Sequence, residues 1–154
     1  PVALVGYLYR ELGIRDPTPY LRISLALLAL MGICYVIWTV FPVRVDLRID
    51  TSVLRQGGFL DEWVRRNYEV ASLWNACPSF HVASPWFLYR VLRHHIPGSH
   101  PVFLFLALSI MASTVFIRIH YLADIVGGVL VSELVFRVIL LRRERAKEYM
   151  SCKK

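Results

Sequence analysis

The sequence has 154 residues, 56% of them hydrophobic, with a mean hydropathy of +0.50 and a formal net charge of +7. That length allows one domain at most, and so apolar a composition excludes an ordinary water-soluble globule and points to lipid as the surrounding solvent. The Lys and Arg residues cluster beside apolar spans, so membrane orientation explains the charge better than nucleic-acid binding does; three scattered cysteines (Cys34, Cys77, Cys152) indicate neither a disulfide framework nor a zinc ribbon.

The chain opens at Pro1 without a methionine and runs at once into an apolar stretch, so it reads as an N-terminally truncated piece of a longer protein. Pro1 to Tyr9 is the remnant of an earlier span or an interfacial segment. Ile23 to Phe41 is nineteen residues without a charge, close to the roughly 20 that a helix needs to cross a bilayer. A loop over 42–77 follows, in which Phe59, Leu60, Trp63 and Val64 recur at helical spacing among charges. That pattern predicts a short helix, either lying on the membrane surface or capping the bundle. Pro78 to His95 is expected to span the membrane with a kink at Pro85, its Arg90 and Arg93 snorkelling to the nearer interface. Pro101 to Ile117 is a further uncharged run of seventeen residues, and Tyr121 to Leu141 is a last span interrupted by Asp124, Glu133 and Arg137.

The expected fold is therefore an all-α integral-membrane helical bundle, a single domain over 1–154 with about four transmembrane helices and a basic tail over 142–154. The connections Arg10 to Arg22, Arg90 to His100 and Arg142 to Lys154 carry three, two and six basic residues, whereas the loop over 42–77 has five balanced by five acids. The positive-inside rule puts the first set, with the C-terminus, in the cytoplasm and the 42–77 loop outside. His81 and His120 then lie at the same depth on the outer face.

Two stretches carry chemistry. In Cys77-Pro78-Ser79-Phe80-His81, Pro78 is expected to open a helix and leave the amides of Ser79, Phe80 and His81 without intrahelical partners, an anion site at the positive end of the helix dipole. A helix start with an incidental interfacial histidine reads the same way. In the stretch from Ser113 to Asp124, His120 and Asp124 are four apart and are expected on one face of a helix. There the carboxylate would fix the tautomer of an imidazole nucleophile. A solvated helix end with an incidental pair is the plainer alternative. Glu133 and Arg137, also four apart, read as a structural ion pair half a turn round from Asp124, and Gly127, Gly128 and Ser132 as a close-packing face.

Together the two stretches resemble the type 2 phosphatidic acid phosphatase superfamily, whose members carry Pro-Ser-Gly-His at one helix start and Ser-Arg, five residues, His, three residues, Asp before the last span. Pro78, Ser79 and His81 match the first motif with Phe80 in the glycine place; Ser113, His120 and Asp124 match the second with Thr114 in the arginine place. Those departures are similar to the branch that includes inositol phosphorylceramide synthases. The resemblance covers about Cys77 to Gly128 and implies a six-helix core, only part of which this chain holds.

What it implies chemically is metal-independent hydrolysis or transfer of a phosphate group on a membrane lipid (phosphatidate, a prenyl diphosphate or a phosphoinositol lipid). His120 would be the nucleophile, Asp124 its orienting carboxylate and His81 the acid. Ser79, Phe80 and Ser113 fall at substrate-binding positions. Arg118 is a candidate for the missing arginine if 118–120 is extended, so that residues two apart point the same way, and an interfacial anchor otherwise. Arg44 is the candidate for an upstream cation, with Arg48 behind it; a solvated arginine near Asp46 is the bland reading. No cofactor or metal is expected, and the partners are a lipid phosphate and the bilayer. Two other classes fit the same residues: a zinc-dependent membrane hydrolase using His81, His120 and Asp124 as ligands, and a non-enzymatic transport or scaffold subunit.

Overall fold

The structure is a computed structural model that describes residues 17–46, 58–70, 74, 76–96, 98 and 100–141. The expected N-terminal remnant, the 142–154 tail, Arg48 and part of the 42–77 loop lie outside the described residues. Those described form α1 (Pro17–Val40), α2 (Phe59–Val70), α3 (Phe80–His95), α4 (His100–Phe116) and α5 (Leu122–Val135), the last running into a π-helical turn at Phe136–Leu141. There is no strand among them, so the expected all-α class holds.

α1 opens on Pro17, which suits a first turn, and closes where Phe41 precedes Pro42 and is steered out of helical geometry. It is apolar all round. Ile23, Ala26, Leu30 and Cys34 form the buried stripe, while Leu25, Leu28, Tyr35 and Val36 on other faces are exposed. A helix with a protein-facing stripe and an equally apolar outer surface suits lipid better than water. Leu21–Val40 is the one helical stretch, among the described residues, long and apolar enough to cross a membrane by itself; α4 is apolar but shorter.

α3 is the central helix, packed against α1, α4 and α5. Phe87, Leu88, Val91 and Leu92 join Leu30, Val135 and Phe136 in the core. Pro85 lacks the amide that would bond the His81 carbonyl one turn back, so the first turn of α3 is tied less tightly to the rest of the helix. α4 reverses the chain and α5 reverses it again, so that α3 and α5 run in the same direction. On α5 the buried residues Asp124, Gly128, Ser132 and Val135 lie on one face, at helical spacing.

Far from the α5 start, Glu133 accepts from Trp86 Nε1 at 3.1 Å, Arg90 Nη1 at 2.5 Å and Arg137 Nε at 3.3 Å. Arg90 thus does not snorkel away as its sequence position suggests. It turns inward to Glu133 and lies over the Phe136 ring, 4.9 Å from its centroid. The Glu133–Arg137 pair is present, and α3 supplies two further donors to it.

Candidate active site

The chain from Ala76 to Ser79 is packed against the first turns of α5. Ser79, not Pro78, borders α3: its backbone is extended (φ −71°, ψ 115°), and its carbonyl accepts from Val82 N at 3.2 Å and Ala83 N at 2.9 Å. The expectation of three free amides is therefore corrected. The Ser79 amide is taken by the Asp124 carbonyl at 3.1 Å, because Ser79 precedes the helix and faces α5. Those of Phe80 and His81 remain as the helix-start amides without an intrahelical acceptor. The Ser79 hydroxyl is fully buried and without a hydrogen-bond partner.

Close approach makes this possible. A Cβ on Gly128 would stand 2.7 Å from the Ser79 carbonyl oxygen, and one on Gly127 would stand 3.1 Å from Cys77 Sγ. Only a side chain without a Cβ lets α5 lie this near a neighbouring backbone.

His120 sits in the short link between α4 and α5, not on a helix. Ile117 N bonds the Ser113 carbonyl at 3.0 Å, Arg118 turns the chain in the left-handed region at φ 53°, and Ile119 N returns to the Thr114 carbonyl at 3.2 Å. The expectation that His120 and Asp124 share a helix face is thus corrected: α5 begins at Leu122, and Asp124 reaches back from its third position. One carboxylate oxygen, Oδ2, accepts from Tyr121 N at 2.8 Å and faces His120 Nδ1 at 3.4 Å. This is the reach-back half of a capping box, put to use in holding an imidazole. With Asp124 as acceptor, Nδ1 carries the proton and the Nε2 lone pair is released.

Asp124 therefore touches both stretches, its carbonyl holding Ser79 and its carboxylate holding His120. Across it the rings of His81 and His120 stand 5.8 Å apart, tilted by 50°. His81 is exposed and His120 only 6% exposed, so one imidazole meets solvent and the other is enclosed. Burial is the largest influence on His120 and pushes its pKa below the usual 6.5; the Asp124 carboxylate pulls the other way and His81 adds to the lowering. Burial and the Asp124 charge push the Cys77 thiol up, which favours its protonated form. That thiol reads as a stray apolar residue in the sequence, yet it lies against the site.

The family model described as the PAP2 superfamily matches residues 2–138, which include both motif segments. The chain belongs to the PAP2 superfamily. Comparison with curated proteins and with solved structures gives no match. Members of the superfamily are generally membrane-associated phosphatases or phosphotransferases, and at the level of the family the chain is assigned phosphatase-type chemistry.

In this PAP2-superfamily chain the remaining site candidates fall in different places. Phe80 is half-buried and packs against the core. The Ser113 hydroxyl donates to the Ile110 carbonyl at 2.7 Å, and that of Thr114, which is buried, donates to the Met111 carbonyl at 2.8 Å; both are bonded to their own helix. Arg118 is exposed, and its left-handed backbone removes the extended geometry that would have pointed it the same way as His120. The Arg44 guanidinium is held by Asp46 at 2.8 Å and lies 5.5 Å from the centroid of the Trp74 ring. The structure thus brings together His81, His120, Asp124 and Ser79; Arg44 is paired with Asp46, whose amide bonds the Tyr121 hydroxyl next to His120, and Arg118 turns the link before it.

Three outer contacts were missed by sequence reasoning. Trp38 Nε1 donates to the Pro78 carbonyl at 3.0 Å, the Tyr68 hydroxyl donates to the Ile117 carbonyl at 2.8 Å, and Asp46 N donates to the Tyr121 hydroxyl at 3.3 Å. Each fixes a segment that carries a site residue. The available signal was an aromatic residue near the end of a span or on an amphipathic helix, which names no partner.

Proposed function

We propose that the chain is the catalytic part of a membrane-embedded, metal-independent lipid phosphatase or phosphotransferase working through a phosphohistidine on His120. The observation that carries this reading is the pair of imidazoles 5.8 Å apart, one buried against a carboxylate and the other open to solvent. That separation leaves room for a phosphoryl group between a nucleophile and an acid.

In the first step the His120 Nε2 lone pair attacks phosphorus, an N–P bond forms, the ester P–O bond breaks, and the departing oxygen takes a proton from the His81 imidazolium. In the second, water or an alcohol attacks phosphorus and gives its proton to neutral His81 as the N–P bond breaks. Asp124 holds the Nδ1 proton throughout and stabilises the positive charge that grows on the ring. The helix-start amides and the unpartnered Ser79 hydroxyl bind the equatorial oxygens. Arg118 and Arg44 remain candidates for charge neutralisation, Arg44 after leaving Asp46. Phe80 and Ser113 shape and support the site from the positions they hold in the motifs.

The substrate stays in the outer leaflet with its head group at the extracytoplasmic face, and the C-terminus lies in the cytoplasm. Thr114 and Phe80 support the inositol phosphorylceramide synthase-like branch, in which the acceptor is a hydroxyl group and not water. A zinc hydrolase using His81, His120 and Asp124 as ligands would leave the helix-start amides and the candidate arginines without a role, which favours the phosphohistidine reading.

The full-length protein in detergent, with strong chelator present, is assayed against phosphatidate, a prenyl diphosphate and phosphatidylinositol, with and without an added alcohol acceptor. Turnover that persists with chelator and is blocked by vanadate supports the reading. Loss of turnover on chelation, restored by zinc, overturns the phosphohistidine step in favour of a metal. Free phosphate as the only product in the presence of alcohol rejects the transferase branch.

A further inference from the structure

We infer that α2 is a surface anchor, seated in the outer leaflet by Phe59, Trp63 and Val70 and holding the catalytic link from there; the inference rests on the membrane-embedded reading above. α2 has twelve residues, about 18 Å at 1.5 Å per residue, too short to cross a bilayer. At 100° per residue Phe59, Val70 and Trp63 fall within about 40° of one another, and about 140° to 180° from Tyr68. Tyr68 is the inward residue, buried and donating to the Ile117 carbonyl. The opposite edge is open: Phe59 is 83% exposed, Val70 88% and Trp63 45%.

The chemistry of that edge selects lipid. Glu62 on the flank pairs along the helix with Arg66 at 3.2 Å and Arg65 at 3.6 Å, so no block of one sign is presented to anionic headgroups or to an oppositely charged protein. What remains for binding is the apolar area of Phe59, Val70 and Trp63, bordered by Arg66, whose long side chain can reach out to headgroup level beside them. The Tyr68 bond fixes α2 at the level of the α4 end, where Phe116 is exposed, and α1 ends at the same side of the bundle with Val40 and Phe41 exposed. The apolar edge thus lies on the same end of the bundle as these exposed apolar residues. Because Tyr68 holds the Ile117 carbonyl three residues before His120, lipid under α2 supports the turn that presents the nucleophile.

The test uses the full-length protein in phosphatidylcholine vesicles. Cys34, Cys77 and Cys152 are replaced by Ala, and single nitroxide labels are placed through Phe59→Cys, Trp63→Cys, Glu69→Cys and, on α1, Leu28→Cys; Glu69 is exposed and about 80° to 120° round the helix from the apolar edge. Labels at 59 and 63 are expected to collide more with dissolved oxygen than with a water-soluble nickel chelate, at a depth of about 5–10 Å, and the label at 69 the reverse. Nickel access at 59 and 63 equal to that at 69, with 28 deep in the bilayer, overturns the anchor and leaves the spans standing. Nickel access at 28 as well removes the membrane reading and the anchor with it. Shielding from both relaxants with spin–spin broadening assigns the edge to a second copy of the chain and overturns lipid as its occupant. A measurement without cysteine changes guards against a labelled chain that does not fold. In vesicles of lipid brominated near the headgroup end of the acyl chains, Trp63→Phe is expected to remove a large share of the tryptophan quenching, and unchanged quenching rejects the anchor.

Discussion

The two ends of the α3–α5 contact both bury charge, and they are built differently. At one end Glu133 has three donors on its two oxygens, from Trp86, Arg90 and Arg137, and a ring under Arg90. At the other, Asp124 holds a backbone amide and an imidazole through one oxygen, beside a serine hydroxyl with no partner and a second histidine open to solvent. An ionisable residue inside a span is by default a functional suspect. What separates the two here is satisfaction: the Glu133 carboxylate is occupied by three donors, whereas the Asp124 cluster keeps a hydroxyl without a partner and a histidine open to solvent.

That contrast can be broken by substitution, most severely at the proposed nucleophile. His120→Ala is expected to lower turnover by about 10³-fold or more while leaving thermal stability within about 1 kcal/mol of the parent, read by phosphate release and a melting curve. Full activity in this variant removes the catalytic assignment altogether. Next in size is Gly128→Ala, whose new Cβ must push the Ser79 carbonyl away from 2.7 Å. A loss of about 10- to 100-fold in kcat is expected from the misplaced histidines. Gly32→Ala, where a Cβ meets nothing within 4 Å, should leave kcat unchanged and stabilise α1 by about 0.5–1 kcal/mol.

At the satisfied end the effect should appear in stability, not rate. Glu133→Gln leaves Arg90 and Arg137 without their counter-charge, and a loss of about 2 kcal/mol in unfolding free energy is expected, less than for a fully buried pair because Arg137 is largely exposed. Turnover per folded molecule should hold. A rate loss as large as that of Gly128→Ala would erase the distinction between the two ends.

The smallest effect is the pH dependence of the buried imidazole. Its pKa in the folded chain lies below the unfolded value of about 6.5, so the folded state binds fewer protons than the unfolded one in that range. The stability from keeping His120 neutral is therefore complete above about pH 6.5 and is lost as pH falls through the folded pKa. Melting temperatures of the parent and His120→Ala should converge on acidification over that window. The acid limb of kcat/KM, where His120 must be unprotonated to attack, should fall below pH 6.5.

Much of this was legible in the sequence because it depends on periodicity and spacing. The uncharged run from Ile23 announces α1, the spacing around Phe59 announces α2, and the two motif segments announce the site. Three features were not legible, for one physical reason: each depends on backbone that leaves the helix. His120 lies in a link whose turn is set by the left-handed Arg118, so helical spacing to Asp124 gave the right partner for the wrong geometry. Ser79 sits one residue outside α3, which spends its amide on Asp124. Arg90 found Glu133 forty-three positions away, a pairing that no local pattern encodes.

The route of the chain between the two histidines has a further consequence. α3 carries it away from the site and α4 carries it back, so the stretch between His81 and His120 works as a ruler folded once, between the end of α3 at His95 and the start of α4 at His100. Extra residues at the fold add slack that the site never feels. Removing one turn from α4 shortens the returning arm by about 5.4 Å, nearly the whole distance across which the two rings face each other. The spacing of the two histidines is therefore set by the length of the returning helix and not by the far corner.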